Sequence, residues 1–297
     1  MPLNASKVSI LFFIIFDSDM ANRLGYLITG ALFLFALAHF YPSAKMFYRI
    51  TKINQQRVQH TNARAIFDLT SDDSLRIGSF LCYGQSNAGN FGELNQEPWE
   101  NVLQVCNGEL YAYEVPSCGT GGRGGNHWGN VGKNLIEEGY FDQVVFANAS
   151  VGGSTLSELS TVTYLDYLLL QHTRLKSLTG RVDAILFMQG ESDYGEGEAY
   201  RKTFDFFISQ LQQRGIETPI LISQTSICQS HISDSLLLSV QRALSREIEQ
   251  VKAGPNTDLI NFPGSRYDDC HFSKGGLDSL STIWSNSIAE VFKLSSL

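Results

Sequence analysis

From Ile77 onward the chain alternates short, continuously apolar runs with longer stretches whose apolar positions recur at helical spacing. The runs IGSFLCY (77–83), QVVFANA (143–149), DAILFMQ (183–189), PILISQ (219–224) and TDLINF (257–262) predict strands. Between them GNVGKNLIEEG (129–139), YLDYLLLQHTRLKSL (164–178), EAYRKTFDFFISQLQQRG (198–215) and DSLLLSVQRALSREIEQV (234–251) predict helices, and GGLDSLSTIWSNSIAEVFKL (275–294) closes the chain as another. Strand–helix alternation of this kind predicts an α/β fold: a central parallel sheet with helices on both faces, a three-layer α/β/α sandwich. In such sheets ligands bind beyond the carboxyl ends of the strands, so the loops that follow the strands are where chemistry is expected.

The N-terminal part reads differently. Leu24 to Tyr41, LGYLITGALFLFALAHFY, is apolar with no formal charge beyond a protonatable His39, and its length is near the minimum for crossing a bilayer. Residues 1–41 are therefore expected to target the chain to a membrane, as signal peptide or anchor. Met20 to Arg23 would make a basic leader, and Ala36-Leu37-Ala38 has the small-x-small form of a cleavage site. Lys45, Arg49, Lys52 and Arg57 oppose export of an uncleaved anchor by the positive-inside rule. Export, periplasmic or extracellular, or membrane anchoring is the expectation. Residues 42–76 are mixed and polar and read as a stalk or an embellishment, and 77–297 as one catalytic-sized domain.

Composition narrows the partners. With 30 acidic against 22 basic residues the net charge is −8, and no basic cluster interrupts the body of the chain, which argues against nucleic acid. The cysteines at 82, 106, 118, 228 and 270 form no C-x-x-C pair and no zinc-like spacing with histidine, so a metal site is not indicated. An odd count leaves at least one thiol free, while Cys106 and Cys118 are close enough in sequence to pair in an oxidising compartment.

The chemistry concentrates in four loops. Ser86 lies just past the first predicted strand between Gly84 and Gly89, where a strand-to-helix turn exposes a side chain; a nucleophile and a helix N-cap both suit that position. A serine nucleophile needs a base. Asp268 precedes His271 by three residues in YDDCHFSKGG, and an Asp-x-x-His turn lets the carboxylate orient the ring; His39, His60, His127, His172 and His231 have no such partner. After the second strand, NASVGGSTLSEL offers Gly152 and Gly153, whose N–H groups can approach a developing oxyanion; after the third, MQGESDY offers Gln189 and Glu191. The glycine-rich CGTGGRGGNHWG (118–129), with Arg123, His127 and Trp128, reads equally as the wall of a sugar site or as a surface loop.

Taken in order, YGQSNAGN, ASVGGST, MQGESDY and DDCH resemble the blocks of the SGNH hydrolases, most closely the branch of sialate O-acetylesterases and related carbohydrate acetylesterases, over roughly Ile77 to Leu294. The resemblance implies the flavodoxin-like SGNH fold, no cofactor, and an acylated carbohydrate as substrate. It implies Ser86 as nucleophile, His271 as base and Asp268 as its partner, with the oxyanion held by the Ser86 backbone, Gly152 or Gly153, and Gln189. Gln85, Asn87 and Glu191 are expected to support the site. The family's usual asparagine in the third block is here Gln189, and Asp269 competes with Asp268 for His271. A serine esterase is thus the expectation, with a non-catalytic glycan-binding module or a lipase- or thioesterase-like hydrolase as the rivals.

Overall fold

The computed structural model describes residues 41, 43–53, 69, 74–94, 99–229 and 232–293. Apart from Tyr41, the segment expected to target a membrane lies outside the described residues, as do His39, His60 and His231. The chain divides into two compact units, Met1–Lys45 and Met46–Leu297. In the first, residues 41 and 43–45 are helical, and among the described residues no helix is long and apolar enough to cross a membrane. In the second, residues 46–53 are helical, and Met46 and Ile53 are buried in one of the two core clusters. That part of the expected stalk is an embellishment packed on the domain.

Seven strands form one sheet in the order β3-β2-β4-β1-β5-β6-β7: β1 Ile77–Gly84, β2 Val102–Cys106, β3 Glu109–Ala112, β4 Gln143–Asn148, β5 Ala184–Met188, β6 Ile220–Gln224 and β7 Val251–Asn256. All neighbours pair in parallel except β3, which runs antiparallel to β2. Six helices connect or follow them: α1 Trp128–Glu137, α2 Leu156–Leu159, α3 Val162–Thr179, α4 Gly197–Gln213, α5 Ser235–Glu247 and α6 Lys274–Phe292. Every residue of β1 is buried, because helices cover both faces. On one face Leu81 and Tyr83 meet α2 through α5; on the other Phe80 and Cys82 meet α1 and α6, where the Trp128 and Trp284 rings lie 5.3 Å apart. Each such fully buried large side chain contributes on the order of 2 kcal/mol.

Two expectations need correction. The last strand is β7, VKAGPN, rather than TDLINF, in which Thr257–Leu259 is a 3-10 turn. Asn256 caps that turn through the Asp258 N–H, and Asp258 turns inward to bind Ser226, so the run cannot extend. Pro255 hides β7 from a propensity reading, yet β7 is a sheet edge, where a missing N–H is tolerated. The helix expected over 234–251 ends at Glu247, before β7 begins. The β2–β3 hairpin escaped the pattern reading, although Asn107-Gly108 between the strands, both at positive φ, is a strong hairpin signal.

Chain order places β4, β1, β5, β6 and β7 in the flavodoxin-like arrangement, with β1 at the point where connections diverge to either side. The chain leaves β1 through Gly84 at φ 150°, directly against the Met188 carbonyl at the end of β5. Gln85 N–H then donates to that carbonyl at 3.1 Å. A Cβ at position 84 would overlap the Met188 oxygen, so Gly84→Ala is expected to lower stability by about 2 kcal/mol or more, read as a shifted urea midpoint with unchanged m-value. A midpoint like the wild type's would show that the two strands can part there without cost.

Candidate active site

Ser86 opens a one-turn 3-10 helix, Ser86–Ala88, immediately beyond β1, and is buried with Asn87 and Ala88. Its hydroxyl caps nothing: Gln85 is the N-cap, and no side chain caps the turn. Two indole and amide donors fix the turn from below, since Trp128 Nε1 and Asn148 Nδ2 each donate to the Ala88 carbonyl at 2.9 Å. At its end Asn90 binds the 117–126 loop, its Oδ1 accepting from Ser117 N at 2.9 Å and from Asn126 Nδ2 at 2.8 Å. The buried part of the glycine-rich loop therefore braces the Ser86 turn, while Arg123 is exposed. His127 and Trp128 are fully buried, and burial pushes His127 down to about 3, so it stays neutral.

Ser86, Gly152, Gly153, Glu191, Asp268 and His271 line one cavity of about 730 Å³. His271 Nδ1 lies 2.7 Å from Asp268 Oδ2, and Asp268 Oδ1 accepts the backbone N–H of His271 at 2.6 Å and of Cys270 at 3.1 Å. Burial raises the Asp268 carboxyl, but the hydrogen bonds from His271 and Cys270 outweigh it and hold the group below its ordinary value. Asp268 thus stays ionised to lower pH than an ordinary carboxyl, and the stability this contributes is lost as pH falls through its folded-state value. Asp269, at φ 61°, lines a separate cavity of about 480 Å³. The ring of His271 stacks on Phe91 at 5.5 Å, and Tyr267 Oη donates to the Phe91 carbonyl at 2.9 Å. Among the described residues no hydrogen bond joins Ser86 Oγ to His271, although both line the cavity.

The Gly152-Gly153 loop is tied to the same edge, with Val151 N–H donating to the Gly84 carbonyl at 2.9 Å and Thr120 Oγ1 to that of Ser150 at 2.9 Å. Gly153, at φ 66°, would carry a Cβ into open space, whereas one at Gly152 would strike the Phe91 ring. Among the described residues neither glycine N–H meets an acceptor.

Gln189 does not line the cavity that Ser86 lines. It is fully buried, and its Nε2 donates to Gln85 Oε1 at 3.2 Å, to the Ser154 carbonyl at 3.3 Å and to Asp193. With both amide hydrogens committed behind the cavity wall, it has none for a ligand. Its backbone carbonyl accepts in turn from Tyr200 Oη and Gln241 Nε2, each at 3.1 Å. Gln85 lines the cavity, and its Oε1 also accepts from Ser192 N at 3.1 Å. Glu191 Oε1 accepts from Asn87 Nδ2 at 2.7 Å; burial pushes this carboxyl up, against that hydrogen bond and the charge of Arg266. Among the described residues no group of three or more histidine, cysteine or acidic side chains is arranged to hold a metal ion.

Two contributors were invisible to motif reading. Phe91 is an unremarked aromatic in sequence, and Cys228 pairs with Cys270 across 42 residues, beside the predicted Cys106–Cys118 pair; Cys82 is the buried free thiol. The adjacency of Cys270 to His271 was the available signal.

Comparison with known proteins adds a lineage. A search of curated proteins returns no match. Among solved structures, a protein from Arabidopsis thaliana superposes with a TM-score of 0.57 at 15% identity, covering 74% of this chain and 98% of that one. A carbohydrate acetylesterase from Sinorhizobium meliloti gives a TM-score of 0.47 at 12% identity, covering 72% of this chain and 100% of that one. At such identities the likeness is one of fold, and the Arabidopsis structure carries it. The family model for carbohydrate esterase, sialic acid-specific acetylesterase, matches residues 129–289, which is more than half of the chain and holds Gly152, Gly153, Glu191, Asp268 and His271, and the chain belongs to that esterase family, within the SGNH hydrolases.

Proposed function

We propose that the protein is a serine esterase that removes acetyl or other small acyl groups from sugar hydroxyls through an acyl-enzyme. The observation that carries this reading is the Asp268–His271 pair opening onto the cavity that Ser86 also lines. In the proposed cycle Ser86 Oγ attacks the ester carbonyl while His271 Nε2 takes its proton. Asp268 holds the tautomer and the imidazolium. The N–H groups of Ser86, Gly152 and Gly153 receive the oxyanion, and Gln189 acts as a positioning residue through Gln85, Ser154 and Asp193. His271 then returns the proton to the departing sugar oxygen, and water, activated by the same histidine, releases the acid.

A small acyl group is favoured by Phe91, whose ring lies against Gly152 and fills space beside the oxyanion donors. An exported setting, cleaved or anchored, is favoured by the apolar Leu24–Tyr41 segment and by the two cystines, which persist in oxidising compartments.

Ser86→Ala should keep the melting temperature and lose on the order of 10⁴-fold or more in kcat, because the triad acts as a unit. Asp268→Asn should slow turnover far more than Asp269→Asn. Both are read with p-nitrophenyl acetate and an acetylated sugar; a fully active Ser86→Ala would remove Ser86 from the mechanism, whereas a folded wild type inactive on both would favour the glycan-binding rival.

With p-nitrophenyl esters from acetate to octanoate, kcat/KM should fall steeply with chain length in the wild type. Phe91→Ala should flatten that profile even where its overall rate drops. A wild type that prefers octanoate would instead favour a lipase-like hydrolase.

A further inference from the structure

We propose that the Cys228–Cys270 cystine is a positioning device for the reaction, holding Asp268 and His271 in register with Ser86, so that turnover depends on the oxidation state of this one bond. The inference rests on the esterase reading of the site.

Asp268 and His271 stand on neither strand nor helix. The chain from Asn261 to Ser273 has no regular structure beyond the isolated Arg266–Phe272 bridge, and residues 261–264 and 267–269 are exposed. Its internal bonds, Tyr267 N–H to His271 carbonyl at 3.0 Å and Arg266 Nη1 to Cys270 carbonyl at 2.6 Å, set its shape but not its place relative to Ser86. Its place comes from outside. On the β1 side Asn87 Nδ2 donates to the Cys270 carbonyl at 3.3 Å, and Glu93 N–H to that of Phe272 at 2.9 Å.

On the β6 side the tie is the cystine. Cys228 follows Ser226 and Ile227, whose N–H groups are held by the buried Asp258 carboxylate at 2.9 and 3.2 Å, with Ser226 Oγ at 2.5 Å. Cys228 is thus fixed to the end of β6, and through it Cys270, one residue from His271 and two from Asp268. Both sulfur-bearing residues line the cavity, and Cys228 is only half-buried, so a reductant can reach the bond. The Cys106–Cys118 cystine joins the end of β2 to the loop behind the nucleophile turn and touches neither Asp268 nor His271. It is the natural control.

Reduction by a dithiol such as dithiothreitol adds two electrons and two protons to the S–S bond, giving two thiols and the oxidised cyclic dithiol. The experiment compares p-nitrophenyl acetate turnover of the wild type with Cys228→Ser/Cys270→Ser and Cys106→Ser/Cys118→Ser, each assayed well below its melting temperature. Oxidised and reduced wild type are compared too, with thiols counted by mass spectrometry. The first double variant and the reduced wild type should lose roughly 10- to 100-fold in kcat at near-constant KM, since small misplacements of a base carry such costs. Reoxidation should restore the wild-type rate, and Cys106→Ser/Cys118→Ser, whose loop supports the Ser86 turn only from behind, should lose clearly less kcat than the first double variant even where it melts earlier. An active wild type whose kcat survives proven reduction of Cys228–Cys270 overturns the inference alone. Equal losses in both double variants overturn it as well, by showing general loosening. A folded, oxidised wild type without esterase activity overturns the reading of the site and the inference together.

Discussion

The contact on which the site depends is the close approach of β1 to β5 at their carboxyl ends, where Gly84 lies against the Met188 carbonyl and Gln85 N–H closes a hydrogen bond to it. A strand with a side chain at position 84 could not come so near. Because β1 lies where the connections diverge, a shallow crevice opens there between the loops after β4 and β5, and Ser86 is delivered into it by the first turn of chain beyond the strand. The Gly152 loop, the Gln189–Glu191 turn and the 261–273 loop are then set around that point by their own strands.

What stabilises this edge is a set of neutral amides more than charge. Gln85, Asn87, Asn90, Asn148, Gln189 and Gln241 are all buried, and they bond backbone carbonyls, backbone N–H groups and one another. An amide carries donor and acceptor together, so it can satisfy orphan groups on two loops without the desolvation cost of an ion. Each bond contributes only about 1 kcal/mol net, yet leaving one partner unmade costs more, which makes the arrangement specific. Charged groups also enter: Glu191, Arg266 and Asp258 sit where the Ser86 turn, the His271 loop and the end of β6 converge, beside Asp193 and Asp268.

The amide commitments also explain why Gln189 departs from expectation. At the end of a core strand, fully buried and facing Ser154 and Asp193, its side chain is worth more as a tie between loops than as a free donor. The glycine-rich 118–129 loop follows the same logic: Gly122 and Gly125 bridge to Asn90 and Gly92, so its glycines serve close backbone approach behind the site.

The sequence by itself determined the fold class, four of the seven strands, and the identity of the four loops that converge, because parallel strands buried on both faces leave continuous apolar runs and strand ends are marked by glycine and amide residues. It also determined that Asp268 is the partner of His271, since a three-residue offset closes a turn within one loop. Tertiary structure alone decided the rest. The edge strand β7, with Lys252, Gly254 and Pro255, is a strand because β6 offers it a ladder, not because its residues prefer one. Phe91 meets His271, Gln189 is committed to Asp193, and Cys228 reaches Cys270 through contacts that no local pattern encodes. They follow from which loops the sheet order brings to one edge.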